Sequence, residues 1–285
     1  MAHDPVSLWF NSAMAVDEPD SVVLGGLIQD FAVSVNEYVR KSRRAISAEL
    51  LTQVDVTLGA SAHPLTANIA KLPDDFAFTL AQTTGGLLHA VGTLLTGPTP
   101  SPIPLAVLTR SIAEHSATCV YVCRAENHLI RTVRAAILAR QNLIEEGARK
   151  PSHPLHDGEK ALDRLIQYQQ RDHPSAFKPP PSAFEGLISQ ELGEAFPLTH
   201  YKLLHRYVHP NPTTTVVTSV TADQRPVELR RDTYDLSFLS AMAFHAAASA
   251  VVPTREGDPT PIGLAVDRLS QYKELSDAWA ALLRE

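Results

Sequence analysis

The chain holds 285 residues and 31.0 kDa, long enough to bury a core that needs neither a disulfide nor a metal to hold it. Apolar residues make up 44% and charged residues 20%, which excludes global disorder, collagen and rod-like coiled coils. The formal net charge is −6, so any nucleic-acid contact must come from a local basic patch.

The first strong periodicity begins after Pro19. Val23, Leu24, Leu27, Phe31, Val35 and Tyr38 recur at three- and four-residue steps, the spacing of one helical face, with Asp20 as the N-cap. The pattern runs on through Ile46, Leu50, Leu51 and Val54 to Gly59. A second helical region follows Pro73-Asp74-Asp75 and reaches Leu95, weakened at Gly85-Gly86. Thr96 to Pro104 holds four prolines and is a break. Long helices are expected over 103–124 and 127–148, then a Pro-marked loop at 150–154 and an amphipathic helix at 159–171. Residues 172–182 are too proline-rich for regular structure, and short helices at 183–195 and 198–208 follow. Thr213 to Val220 is largely β-branched and Val227 to Arg230 returns after a turn, so one small β-hairpin is expected near residues 213–230. Helices at 232–252 and 260–284 close the chain.

Long helices, short connections and no strand–helix alternation predict an all-α multi-helix bundle. No linker is long or polar enough to demand a second domain, so residues 1–285 read as one helical domain, with helices 20–95 packing on a core built from 103–285. Cys119 and Cys123 are too few for a disulfide framework and match no zinc ribbon or redox pair. The start, Met1-Ala2-His3-Asp4-Pro5, lacks the basic, apolar pattern of a signal peptide. The apolar run Ala241 to Val252 is interrupted by His245 and falls short of the about 20 residues of a membrane span. A cytoplasmic protein with no membrane partner is the expectation.

No Gly-x-Gly-x-x-Gly, Gly-x4-Gly-Lys-Ser/Thr, Gly-x-Ser-x-Gly or His-Glu-x-x-His is present, and no Glu-x-x-His pair for a di-iron bundle. What remains are polar constellations inside apolar patterns. Arg110 and Glu114 stand four apart in an otherwise apolar helix, either as an ion pair between helices or as a polar site in the bundle core. In His200 to Asn211, His205 and His209 share a helical face and Tyr201 lies one turn earlier. Two imidazoles at that spacing can ligate a metal, but no carboxylate completes a set, so no metal is expected; a helix-terminal or ligand-contacting role stands beside it. His115, Cys119 and Cys123 span about 12 Å of helix, too far for one ion, and read as core. Arg40-Lys41-Ser42-Arg43-Arg44, with Arg131, Arg134 and Arg140, is a solvated face or an anion-binding one.

Two of these segments together carry a resemblance. Arg110-x3-Glu114 opens a helix leading into the arginine-rich stretch Arg131 to Arg140, and Tyr201-Lys202-Leu203-Leu204 runs on through Val208-His209-Pro210. Residues 100–210 resemble a family of bacterial helical proteins distantly similar to the HEPN (higher eukaryote and prokaryote nucleotide-binding) domains. The resemblance implies a helical bundle, often a homodimer, acting on RNA or nucleotides in stress or defence, independent of metal and without a cofactor. Its nuclease members place a His after an Arg with four to six residues between them. Two such pairs occur, Arg110/His115 and Arg149/His156, about the number chance supplies, so that spacing adds nothing. The candidate catalytic residues are Arg110, Glu114 and His209, with Tyr201, His205, Asn211, Arg131 and Arg134 as binding residues. A second expectation is a small-molecule enzyme, its pocket between helices 103–124 and 198–208 and its acid–base pair Glu114 and His209. A third is a non-catalytic interaction protein.

Overall fold

A computed structural model describes residues 20–58, 66–97, 102–172, 183–208 and 226–282. Among them lie ten α-helices and one two-stranded antiparallel pair, an all-α bundle. Helix α1 (Ser21–Lys41) starts where the Asp20 carboxylate accepts the Val22 N–H at 2.7 Å, and Arg40 and Lys41 complement the dipole at its end. The periodicity expected to continue to Gly59 is interrupted. Ser42 adopts an extended conformation, β1 (Arg43–Arg44) follows, and Ser47 caps a separate α2 (Ala48–Thr57) by accepting from Leu50 N–H at 3.2 Å.

A 3₁₀ turn (Ile69–Lys71) leads into α3 (Leu72–Leu95), which carries Pro73 in its first turn. Helix α4 (Pro102–Cys123) begins inside the stretch read from sequence as a break. Pro102 and Pro104 occupy the first turn, where the missing N–H groups have no helical partner to lose. Helices α5 (His128–Glu145), α6 (His156–Asp172), α7 (Phe184–Glu191) and α8 (Leu198–Val208) follow. Gly193, at φ +51°, opens the turn between α7 and α8, a conformation that costs other residues more. Helix α9 (Pro226–Val251) and α10 (Thr260–Leu282) flank β2 (Arg255–Glu256).

Most of the expected hairpin at 213–230 lies outside the described residues, and its inner end is corrected. Residues 226–230 form the first turn of α9, where Pro226 is tolerated, not a returning strand. The β-pair instead joins distant segments, Arg43 opposite Glu256 and Arg44 opposite Arg255.

The main core is formed by α1, α3, α4 and α9, with α10 laid on α1 and α7 and α8 on α4. Phe31 of α1 meets Phe244 of α9 edge-on at 5.3 Å between centroids. A smaller cluster, including Val54, Ile69, Val133, Leu162 and Ile166, joins α2, the 3₁₀ turn, α5 and α6, and Leu72 packs on both. The stretch Asp232–Thr254 in and just beyond α9 is long and apolar enough to cross a membrane, with mean hydropathy 1.5, so its apolar character extends beyond Ala241–Val252. In this bundle 67% of its most apolar window is buried, and the helix serves as a wall of the core.

Glycines decide how α1 and α3 meet. A Cβ on Gly25 would lie 2.6 Å from the Gly92 carbonyl oxygen, and one on Gly92 would lie 2.6 Å from the Gly25 oxygen. The Asn36 side chain fills the space a Cβ would need at Gly85, so Gly85 is a packing residue rather than a weak point of its helix. A matched pair of substitutions tests this crossing. Gly25→Ala is expected to lower stability by about 1–3 kcal/mol through overpacking. Gly26→Ala, whose Cβ meets nothing within 4 Å, is expected to raise it by about 0.4–1 kcal/mol. Urea midpoints of the two variants shifting in the same direction would contradict the close crossing.

Candidate functional site

Helix α4 is buried on nearly all sides, so a charged residue in it must find a partner within the protein. Arg110 and Glu114, one turn apart, bond to each other, Nε to Oε1, at 2.8 Å. Tyr201 of α8, 1% exposed, donates its hydroxyl to the same Oε1 at 2.6 Å. The Arg110 guanidinium lies 5.6 Å from the centre of the Tyr201 ring, a cation–π contact that closes the triangle. The structure therefore brings together three residues singled out in the sequence, from segments 87 positions apart.

Each charge state follows from this packing. Burial draws the Arg110 guanidinium down, and the hydrogen bond to Glu114 together with the nearby Tyr201 and the charge of Glu114 outweighs it, so the net shift is upward and the group stays cationic. Burial, reinforced by the bond to Glu114, pushes the Tyr201 phenol up to about 12. A neutral, donating tyrosine and a permanent cation thus hold one carboxylate oxygen. Among the described residues, Oε2 takes no hydrogen bond.

His209 and Asn211 lie outside the described residues, as does the side chain of His205. His115 turns its Nδ1 to the Ser111 carbonyl, 2.7 Å away on its own helix, while the neighbouring Arg110 is spent on Glu114. Four of the arginines expected to bind an anion are spent on the fold. Arg131 pairs with the buried Asp74 at 3.3 Å, and Arg44 reaches Asp75 at 2.7 Å and Asp74 at 3.7 Å. Arg134 donates to the Tyr121 carbonyl at 2.6 Å and stacks over that ring at 4.7 Å. Arg140 joins α5 to α6 through Glu159 and Asp163, both at 2.9 Å. Cys119 and Cys123 are free and buried in the core; the bond to Cys123 and burial raise the Cys119 thiol. His128 has Nε2 2.6 Å from the Ala70 carbonyl, so that nitrogen carries the proton, and burial lowers its pKa. No group of three or more metal-ligating side chains occurs among the described residues.

Glu114 also lines a cleft of about 250 Å³. The cleft opens not toward α8, where the sequence expectation put a pocket, but between α3, α4, α5 and α7. Phe76, Leu80, Leu138 and Leu187 give it apolar walls, and His115, Thr118, Gln141, Asn142 and Glu145 supply polar groups. The last three went unrecognised in the sequence because they sit on the polar side of an ordinary amphipathic helix. Only the placement of α7 turns that side into a wall. No protein-family model, curated protein or solved structure matches the chain.

Two measurements check the triangle. Tyr201→Phe keeps the ring and its contact with Arg110 but removes one charge-assisted hydrogen bond, and is expected to cost about 1.5–3 kcal/mol by urea denaturation. The phenols of Tyr121, Tyr201 and Tyr272 are each raised from 10.0 to about 12. The folded state holds these protons more tightly than the unfolded chain, so the contribution is intact below pH 10.0 and is lost as pH rises toward about 12. A Tyr201 ring signal, followed by NMR in the folded protein, that titrates at 10.0 or below would contradict this.

Proposed function

We propose that the protein binds a compact amphiphilic cation, an aryl- or alkylamine, in the cleft between α3, α4, α5 and α7. The observation that carries this reading is a carboxylate, Glu114, oriented by Arg110 and Tyr201 on one oxygen while lining the cleft. Arg110 balances the charge of Glu114, but Glu145 adds a second carboxylate at the end of α5, where the exposed carbonyls carry partial negative charge. Among the described residues no lysine or arginine lines the cleft, and its walls are aromatic and aliphatic. A charged amine head with a short apolar body matches that surface. The volume lies below the roughly 300–1,000 Å³ of sites for drug-sized ligands, which favours a small one.

Action on RNA or nucleotides, implied by the HEPN resemblance, draws its support from the sequence. The arginines it would use, Arg131 and Arg134, are committed to Asp74 and Tyr121. Isothermal titration of the full chain with phenethylamine and with phenylacetate tests the cleft. Saturable binding of the amine alone is expected, weakened about tenfold in Glu145→Gln, the loss of one ionic contact. Preference for phenylacetate, or no saturation by the amine, overturns the reading.

A further inference from the structure

A second cleft, of about 280 Å³, lies between α1, α9 and α10, and its chemistry is the opposite of the first. Its floor and sides are apolar, including Phe31, Phe238, Met242, Val266 and Leu269. Met242, at the mouth, is 39% exposed. The ionisable residues that line it, among those described, are all basic: Arg124, His245 and Lys273. Ser249 and Ser270 add hydroxyls, and among the described residues no carboxylate belongs to the wall.

We infer that this cleft is a binding site for a compact amphiphilic carboxylate, such as a medium-chain fatty acid, with its chain on the apolar floor and its head at Arg124 and Lys273. Charge complementarity selects this occupant. A neutral apolar ligand would leave two cations beside it without using them, and an amine would be repelled.

The present partners of both cations leave room for such a head. Arg124, just beyond the end of α4, reaches among the described residues only the Glu191 carbonyl, with Nη1 at 3.4 Å. Lys273 lies 5.5 Å from the centre of the Phe238 ring, so its stem and head cover part of the apolar wall. Its ammonium bonds Asp277 at 2.6 Å, a pair with 40% and 66% of the two side chains exposed. An exposed one-turn pair of this kind contributes little stability, and a desolvated ligand carboxylate competes with it readily. The His245 ring has Nε2 3.4 Å from the Ser249 hydroxyl, a polar rim that can accept or donate beside the same head group. This inference does not depend on the amine cleft, which shares none of these lining residues.

The experiment is calorimetric titration of the full chain with octanoate and with octan-1-ol, which has the same chain length and no charge. Saturable one-to-one binding of octanoate is expected, at least tenfold tighter than the alcohol. The double variant Arg124→Gln/Lys273→Gln should lose that tenfold preference. Ser270→Phe, which places a ring at the exposed rim, should abolish binding of both ligands. Circular dichroism melting of each variant confirms folding, because all three positions border solvent. Absence of saturable octanoate binding overturns the inference. So does equal affinity for the alcohol, or octanoate binding unchanged in Ser270→Phe.

Discussion

The backbone contact between α1 and α3 at Gly25 and Gly92 sets the spacing on which the bundle depends. With a carbonyl of each helix against the Cα of the other, the two axes approach more closely than side-chain ridges allow. Leu24, Ile28, Phe31 and Val35 then reach past α3 into the core shared with α4 and α9. Helix α4 ends up surrounded. Its charged residues must be satisfied within the protein, and they are: Arg110 and Glu114 bond each other and Tyr201, while Thr109 accepts from the Ser240 hydroxyl at 2.9 Å and the buried Ser116 hydroxyl finds no partner among the described residues. The polar triangle follows from the tightness of the packing around it.

A second consequence concerns the arginines. Asp74, at the first turn of α3, is almost fully buried, and a buried carboxylate is tolerable only beside a cation. Arg131 from α5 and Arg44 from β1 supply that charge, so three segments distant in sequence converge on one acid. The strand pair is anchored nearby. Tyr38 donates to the carbonyls of Val252 and Arg255 at 3.2 and 3.3 Å, and the Arg255 side chain donates to the Ser42 hydroxyl at 2.8 Å. Arg44, from a basic run that reads as a surface for anions, and Arg131 thus serve an internal framework, while Arg40, Lys41 and Arg43 stay exposed.

The two clefts divide along α4. Glu114, in its middle, faces the cleft with carboxylates, and Arg124, just past its end, faces the cleft with cations. Each is shallow and small, and each combines one charge sign with aliphatic and aromatic walls. That combination discriminates by head-group charge more than by ligand shape, because an uncompensated like charge near a desolvated wall costs more than an imperfect apolar fit.

By itself the sequence determined the all-α class, the helix faces and most helix positions, because the 3.6-residue period of apolar side chains is a local property. Asp20 could be read as a cap for the same reason, since its carboxylate bonds the N–H two residues on, whereas the cap at Ser47 lay hidden within a pattern that read as continuous to Gly59. The unusual pairing of Arg110 with Glu114 was also legible, as two charges in an apolar stretch. The tertiary structure alone decided that Tyr201 completes the pair, that Arg131 and Arg134 are internal, and that Arg43–Arg44 pair with Arg255–Glu256. It also turned the Thr213 to Arg230 pattern aside at its end, where 226–230 joins α9. The clefts belong to the same category. Each is lined by residues from three or more helices, and no local pattern encodes which faces of separate helices will leave a gap between them.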